Sequence, residues 1–179
     1  MSESQPTGIE GAVLFEPKVF ADGRGAFFEA FRASWTGSSF SVAQWNVSVS
    51  AGGVVRGLHF HRLQTDYWLV PQGKVRVALV DVRPESPTRR KAMCLELGGD
   101  RPRALLIPPG VLHGYAIIHD ATVMYLVNVE YTGKDEYGVR WNDPELGLPP
   151  EWYAIKSPVL SNRDATAPML RDALAAHQK

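Results

Sequence analysis

Val55-Arg56-Gly57-Leu58-His59-Phe60-His61 is the stretch that decides how the rest of the chain reads. In an extended chain, residues two apart face the same way, so His59 and His61 are expected to project together. Val55, Leu58 and Phe60 supply the β-branched and bulky apolar positions of a half-buried strand. Two imidazoles beside a guanidinium exceed what a core strand needs. A lone histidine is more often structural, whereas a doublet next to Arg56 points to binding or catalysis.

On both sides of this stretch the apolar runs are short and closely punctuated by 16 Gly and 13 Pro, the pattern of many strands and few helices. Residues 11–20 read as a strand that ends at Ala21-Asp22-Gly23-Arg24-Gly25. Residues 26–31, 39–49, 67–70, 91–97 and 103–107 read as further strands. Pro71-Gln72-Gly73 is expected to be a turn. Residues 74–81 then alternate cleanly, with Val75, Val77 and Leu79 on one face against Lys74 and Arg76. Pro108-Pro109-Gly110 makes a rigid turn that delivers His113 at a strand start. Residues 122–131 alternate again, placing Val123, Tyr125, Val127 and Val129 on one face. Only residues 167–176 look helical, with Met169, Leu170 and Leu174 as the apolar stripe. The expectation is one all-β domain over residues 1–179, a β-sandwich or barrel with a short C-terminal helical segment.

The bulk properties narrow the partners. Lys plus Arg and Asp plus Glu number 19 each, so net charge is zero and no general basic field awaits a nucleic acid. Cys94 is the only cysteine among the 179 residues, which excludes an internal disulfide and fits a reducing compartment. Residues 1–10 are polar and lack the apolar run of a secretion signal, and no stretch has the length of a membrane span. A soluble cytoplasmic protein without nucleic-acid or membrane partners is expected.

Several stretches together resemble the dTDP-4-dehydrorhamnose 3,5-epimerase family, nucleotide-sugar epimerases built on the cupin jelly roll. They begin with Glu16-Pro17-Lys18-Val19-Phe20 followed by Asp22, Arg24, Gly25 and Phe28-Glu29, then Arg56-Gly57-Leu58-His59-Phe60. They continue with Ile107-Pro108-Pro109-Gly110, His113-Gly114, Arg140-Trp141-Asn142-Asp143-Pro144, and Leu160-Ser161 with Arg163-Asp164. Each alone is weak. They occur in family order and near-family spacing from about residue 14 to 171.

The resemblance implies that His59 is a general base removing the proton beside a sugar's C4 ketone. Asp164 would hold that histidine in its tautomer. Tyr125 would return a proton from the opposite face. Epimerising a carbon beside a ketone calls for a base near neutral pKa on one face and an acid on the other, with positive or hydrogen-bonding groups at the enolate oxygen. Around the nucleotide and sugar the resemblance implies Arg24, Glu29, Gln44, Asn46, Arg56, His113, Glu136 and Arg163, the arginines suiting a diphosphate through their planar forks. It also implies a homodimer in which the Arg24–Glu29 segment serves the neighbouring subunit's site, with residues 11–33 at the interface. No cofactor or metal is implied, since the substrate's own carbonyl is the electron sink. Local context alone would make Arg24 and Asp22 a solvated turn, Tyr125 a core residue, Trp141 and Pro144 structural, and His119 a surface residue.

The chain also departs from the family pattern. His61 stands where the family usually has glutamine, and Gln64-Thr65-Asp66-Tyr67-Trp68 lacks a lysine that lies near the sugar carbonyl. The aromatic that often follows the catalytic tyrosine is Glu130 here, followed by Tyr131. Gly53, His59, His61, Asp66 and Gly73, with Pro108, Gly110 and His113, also fit parts of the metal-binding cupin motifs. A rival expectation is therefore a metal-dependent isomerase or dioxygenase with His59, His61, Asp66 and His113 as ligands. A non-catalytic sugar-nucleotide-binding cupin would keep the arginines and tolerate loss of His59 or Tyr125; both are present.

Overall fold

The alternation over residues 74–81 belongs to a strand twice that length. In the computed structural model, which describes residues 3–37 and 40–177, the strands in chain order are β1 (Glu3–Pro6), β2 (Val13–Glu16), β3 (Val19–Asp22), β4 (Gly25–Phe28), β5 (Gln44–Ser50), β6 (Val55–Phe60), β7 (Asp66–Asp81), β8 (Ala92–Gly98), β9 (Ala104–Ile107), β10 (Val111–Val127) and β11 (Tyr137–Gly138). Four short helices accompany them: α1 (Ala33–Thr36), α2 (Pro150–Tyr153), α3 (Asn162–Ala165) and α4 (Leu170–His177). No helix among the described residues is long and apolar enough to cross a membrane.

β7 and β10, 16 and 17 residues long, pair antiparallel from end to end. The other edge of β7 is taken by β9 along Asp66–Leu69 and by β8 along Lys74–Val80. The other edge of β10 is taken by β6 near His113–Ala116 and by β5 along Ala121–Val127. The long pair thus runs through both layers of a jelly roll. One layer is β8-β7-β10-β6-β11; the other is β1-β2-β9-β7-β10-β5, and β3-β4 forms a separate hairpin.

Where the pair passes from layer to layer, its register shifts between Ile117 and Met124 of β10. The inward residues of β7 change phase there, from Trp68 and Val70 to Val75, Val77 and Leu79. A one-residue slip exchanges the faces of a strand, and a bulge supplies that slip. Pro71-Gln72-Gly73 is therefore a bend inside one strand and not a chain reversal. Gly73 (φ +79°) is required at the crossing, because a Cβ there would sit 2.0 Å from the Asp120 carbonyl oxygen.

The expected faces hold elsewhere. Val75, Val77 and Leu79 are fully buried between the layers with Leu97, Leu105, Ile107 and Val123. The opposite face of the first layer is also covered. Leu58, Phe60, Ala78, Val80 and Leu112 pack under Trp152, Leu170 and Ala173 from the C-terminal segment. Asp143 is wholly buried and fastens that segment, accepting from the Glu145 N–H at 2.8 Å and the Leu170 N–H at 2.6 Å. Trp141 packs against Trp152, whose indole N–H donates to the Trp141 carbonyl, so Trp141 is structural here. His119 is exposed.

Some boundaries differ from the sequence reading. Residues 11–20 divide into β2 and β3 around Pro17, which has no N–H for a ladder. The strand expected over 39–49 begins at Gln44, and residue 39 lies outside the described residues. β10 ends at Val127, leaving Val129 in the following loop. Met169 precedes α4 and is exposed, while Leu170 and Ala173 carry the packing.

Candidate active site

β6 carries a bulge at its crossing with β10. His113 faces His59 and Tyr115 faces Arg56, so Gly57 and Leu58 together oppose Gly114 alone. Simple alternation would put Arg56 and His59 on opposite faces; the extra residue returns both to the same cavity. Gly57 has φ +105°, and a Cβ on it would lie 2.9 Å from Gly114 Cα and from the His113 carbonyl oxygen. The backbones touch there, and only glycine permits it.

The cavity measures about 470 Å³ and lies at the mouth of the jelly roll. His59, Tyr125 and Asp164 all line it, as do Gln44, Asn46, Arg56, His113, Glu136 and Arg163. Arg24 and Glu29 do not. Arg24 is 91% exposed on the β3-β4 hairpin, where it pairs with Asp22, and Glu29 pairs with Arg32. Within one chain these two are turn and surface residues.

His59 Nε2 lies 2.7 Å from Asp164 Oδ1 across 105 residues of sequence. Two elements make that contact. Residue 159 bridges the start of β6, with Val55 N–H donating to the Val159 carbonyl at 3.0 Å. Ser161 then caps α3 by accepting from the Asp164 N–H at 3.1 Å, which turns the Asp164 side chain inward. Two groups meet Nε2: the Asp164 carboxylate, which only accepts, at 2.7 Å, and the Arg163 guanidinium, which only donates, at 3.1 Å; the shorter carboxylate contact puts the proton on Nε2 and leaves Nδ1 as the basic nitrogen. Glu136 Oε1 stands 3.3 Å from that Nδ1. Burial pushes the Asp164 carboxyl up, but hydrogen bonds from His59 and Ser161 and the charge of His59 outweigh it and hold it below the usual range. Glu136 is likewise held low against its burial, chiefly by the Arg163 guanidinium, with His59 and the Tyr131 hydroxyl adding to it.

Tyr125, on the distal half of β10, is half-buried, and burial raises its phenol so that it stays protonated at neutral pH. Opposite it on β5, Asn46 accepts from Gln44 Nε2 at 2.7 Å, and Gln44 Oε1 accepts from the Tyr131 N–H at 2.8 Å. Tyr131 donates from its hydroxyl to Glu136 at 3.0 Å, so an aromatic reaches the cavity although residue 130 is glutamate. Arg56 rests on Ser50 Oγ, its nitrogens at 3.0 and 3.1 Å.

His113, His61 and Asp66 form a second cluster in the same cavity. The His61 and His113 ring centroids are 5.4 Å apart, and Trp68 packs edge-on against His113 at 5.2 Å. Burial pushes the His113 imidazole down to about 4, which keeps it neutral. His59 does not join this group. Its engagement by Asp164 removes it from the rival four-ligand set, and among the described residues only His61, Asp66 and His113 are close enough to share an ion. The sequence reading quoted Gln64, Trp68 and Ser161 without giving them a site role and did not name Tyr115, yet all four line the cavity. Tyr115 could have been found, because it lies two residues beyond His113 on the same strand.

A model of the dTDP-4-dehydrorhamnose 3,5-epimerase family matches residues 6–172. The chain belongs to that family. As a member it is an epimerase. It is 37% identical to the dTDP-4-dehydrorhamnose 3,5-epimerase of Mycobacterium tuberculosis over 94% of this chain and 87% of that one. It is 35% identical to a dTDP-4-dehydro-6-deoxyglucose 3-epimerase of a Streptomyces species, over 94% of this chain and 89% of that one. The epimerase fold also superposes with a TM-score of 0.87 on a Legionella pneumophila epimerase solved with dTDP-4-keto-L-rhamnose, at 31% identity over 96% and 94% of the two chains.

Proposed function

We propose that this epimerase inverts C3, C5 or both in a dTDP-linked 4-keto-6-deoxyhexose, with His59 as base and Tyr125 as acid. The observation that carries the reading is the 2.7 Å His59–Asp164 bond inside a cavity that Tyr125 also enters. His59 Nδ1 takes the proton beside the C4 ketone. The imidazolium that results lies between Asp164 and Glu136, two carboxylates held ionised, so its charge is stabilised as it forms. Tyr125, whose phenol is held protonated, returns a proton to the other face of the enolate. The relatives' names support the dTDP-keto-sugar, and both 3,5- and 3-epimerases are among them.

In this reading the Arg24–Glu29 segment of a second copy completes the nucleotide end of the cavity. Support comes from apolar side chains that one chain leaves open on the hairpin and on β5: Phe20 is 53%, Phe27 66% and Val49 75% exposed. Sedimentation of a monomer at micromolar concentration would refute the dimer. With Cys94 as its single cysteine the chain has no internal disulfide that would need an oxidising compartment, and we place the enzyme in the cytoplasm.

The experiment is to incubate the enzyme with a dTDP-4-keto-6-deoxyglucose in deuterium oxide. Proton NMR then shows which ring positions exchange. Exchange at C3, C5 or both with formation of the epimer is expected. No exchange at either carbon overturns the proposal.

A further inference from the structure

Each inversion leaves the acid–base pair in the wrong state for the next one. His59 ends with the substrate's proton on Nδ1, besides the one that Nε2 shares with Asp164, and Tyr125 ends as a phenolate. One proton must leave Nδ1 and one must reach Tyr125 before the pair can act again. Two carboxylates meet the ring, and they are unequally placed for that task. Asp164 engages Nε2 at 2.7 Å with a side chain only 6% exposed, so it serves the nitrogen that does not collect the proton. Glu136 Oε1 stands 3.3 Å from Nδ1 itself. Its carboxylate is held from the solvent side: the Arg163 guanidinium reaches both oxygens, at 3.0 Å on Oε1, and the Tyr131 hydroxyl donates to Oε2 at 3.0 Å. Arg163 and Tyr131 are 55% and 57% exposed, so Glu136 is the carboxylate that connects the ring with the cavity mouth.

We propose that Glu136 discharges His59 between turnovers, taking the proton from Nδ1 and releasing it to water at the cavity mouth. The Nδ1–H bond breaks as an Oε1–H bond forms; that bond breaks in turn as water takes the proton, while Tyr125 draws one proton from water. No electrons are gained or lost, and both residues return to their starting forms. Burial pushes the Glu136 carboxyl up, but Arg163, the charge of His59 and the Tyr131 hydroxyl outweigh it, and a carboxyl held low releases a proton quickly. The role rests on the epimerase reading and goes beyond the stabilising charge given to Glu136 there. A stabilising charge acts while the substrate's proton is being removed; a discharge route acts afterwards.

The test compares one turnover with many. Enzyme in excess over dTDP-4-keto-6-deoxyglucose, quenched rapidly, reads the first inversion; substrate in excess reads kcat. Glu136→Gln keeps the shape and an oxygen for Nδ1 but cannot take its proton. Its kcat should fall by about 10²-fold, the lower end for a positioned proton-transfer group, and its first inversion by less than about 10-fold. Glu136→Ala leaves room for a small carboxylate, so added formate should restore kcat in that variant without changing the first inversion. Arg163→Gln, at a largely exposed side chain, covers the case that neither Glu136 variant folds. It removes the chief cation from Glu136, the proton stays there longer, and kcat should again fall more than the first inversion. Equal losses in the two regimes, or a Glu136→Ala enzyme that ignores formate, overturn the discharge role and leave Glu136 as a stabilising charge. A parent that inverts nothing in either regime refutes the epimerase reading, and the discharge role falls with it.

Discussion

Two histidine–carboxylate clusters share one cavity, and they differ in what each ring touches on its far side. His59 leans on a carboxylate through Nε2 at 2.7 Å, with a second carboxylate 3.3 Å from Nδ1. His61 and His113 lean on backbone carbonyls through Nδ1, and His113 turns its other nitrogen toward Asp66 at 3.9 Å. The first environment rewards a positive ring and so makes a base. The second buries the His113 ring, and that burial keeps it neutral. Residue type is the same in both; the partner on the second nitrogen decides the chemistry.

His59→Ala should break the first cluster and spare the second. Turnover and α-proton exchange should fall together by at least the 10²–10⁴-fold typical of a positioned acid–base group, measured by NMR in deuterium oxide. If exchange survives in full, the base lies elsewhere.

Tyr125→Phe keeps the base and the packing but removes the acid. Inversion should drop by about 10²-fold while exchange with retention persists, because His59 can return the proton it took. Inversion at the parent rate would make Tyr125 a core residue, with Tyr131 the next candidate.

Asp164→Asn leaves the ring in place but weakens its orientation and basicity, so kcat should fall by about 10–100-fold. A drop as large as that of His59→Ala would mean that the contact also holds the C-terminal segment in place. Circular dichroism and denaturant midpoints separate the two.

The smallest effect is on stability. Asp164 and Glu136 are held below their usual values, so they stabilise the fold above their unfolded pKa values of about 3.9 and 4.3. That contribution is lost as pH falls through the lower folded values. In urea titrations the parent should exceed Asp164→Asn by a constant margin above about pH 5, and the margin should vanish in strong acid. A margin independent of pH would show that the charge of Asp164 does not contribute to folding.

The layers and their inner faces were legible because alternation over residues 74–81 and at Val123 has the period of a strand. The bend at Gly73 was not, because Pro and Gly mark a reversal and a bulge alike. The β6 bulge was equally hidden, since it depends on Gly57 meeting Gly114 from a distant strand. Asp164 could be tied to His59 only through resemblance, as a separation of 105 positions leaves no local signal. The second cluster was partly visible as His61, Asp66 and His113. Nothing in the sequence revealed that the Asp135 and Val111 carbonyls would fix the histidine tautomers, or that His59 would turn away to Asp164.

The passage of β7 and β10 through both layers has a consequence for how the molecule comes apart. Neither layer owns its central strands, so one cannot open while the other keeps its ladder. The amides of Ala78 in one half and Leu126 in the other belong to a single cooperative unit. Under conditions of global opening they should exchange with solvent deuterium at a common free energy, while those of the β3-β4 hairpin, which shares no strand with the long pair, exchange through cheaper local openings.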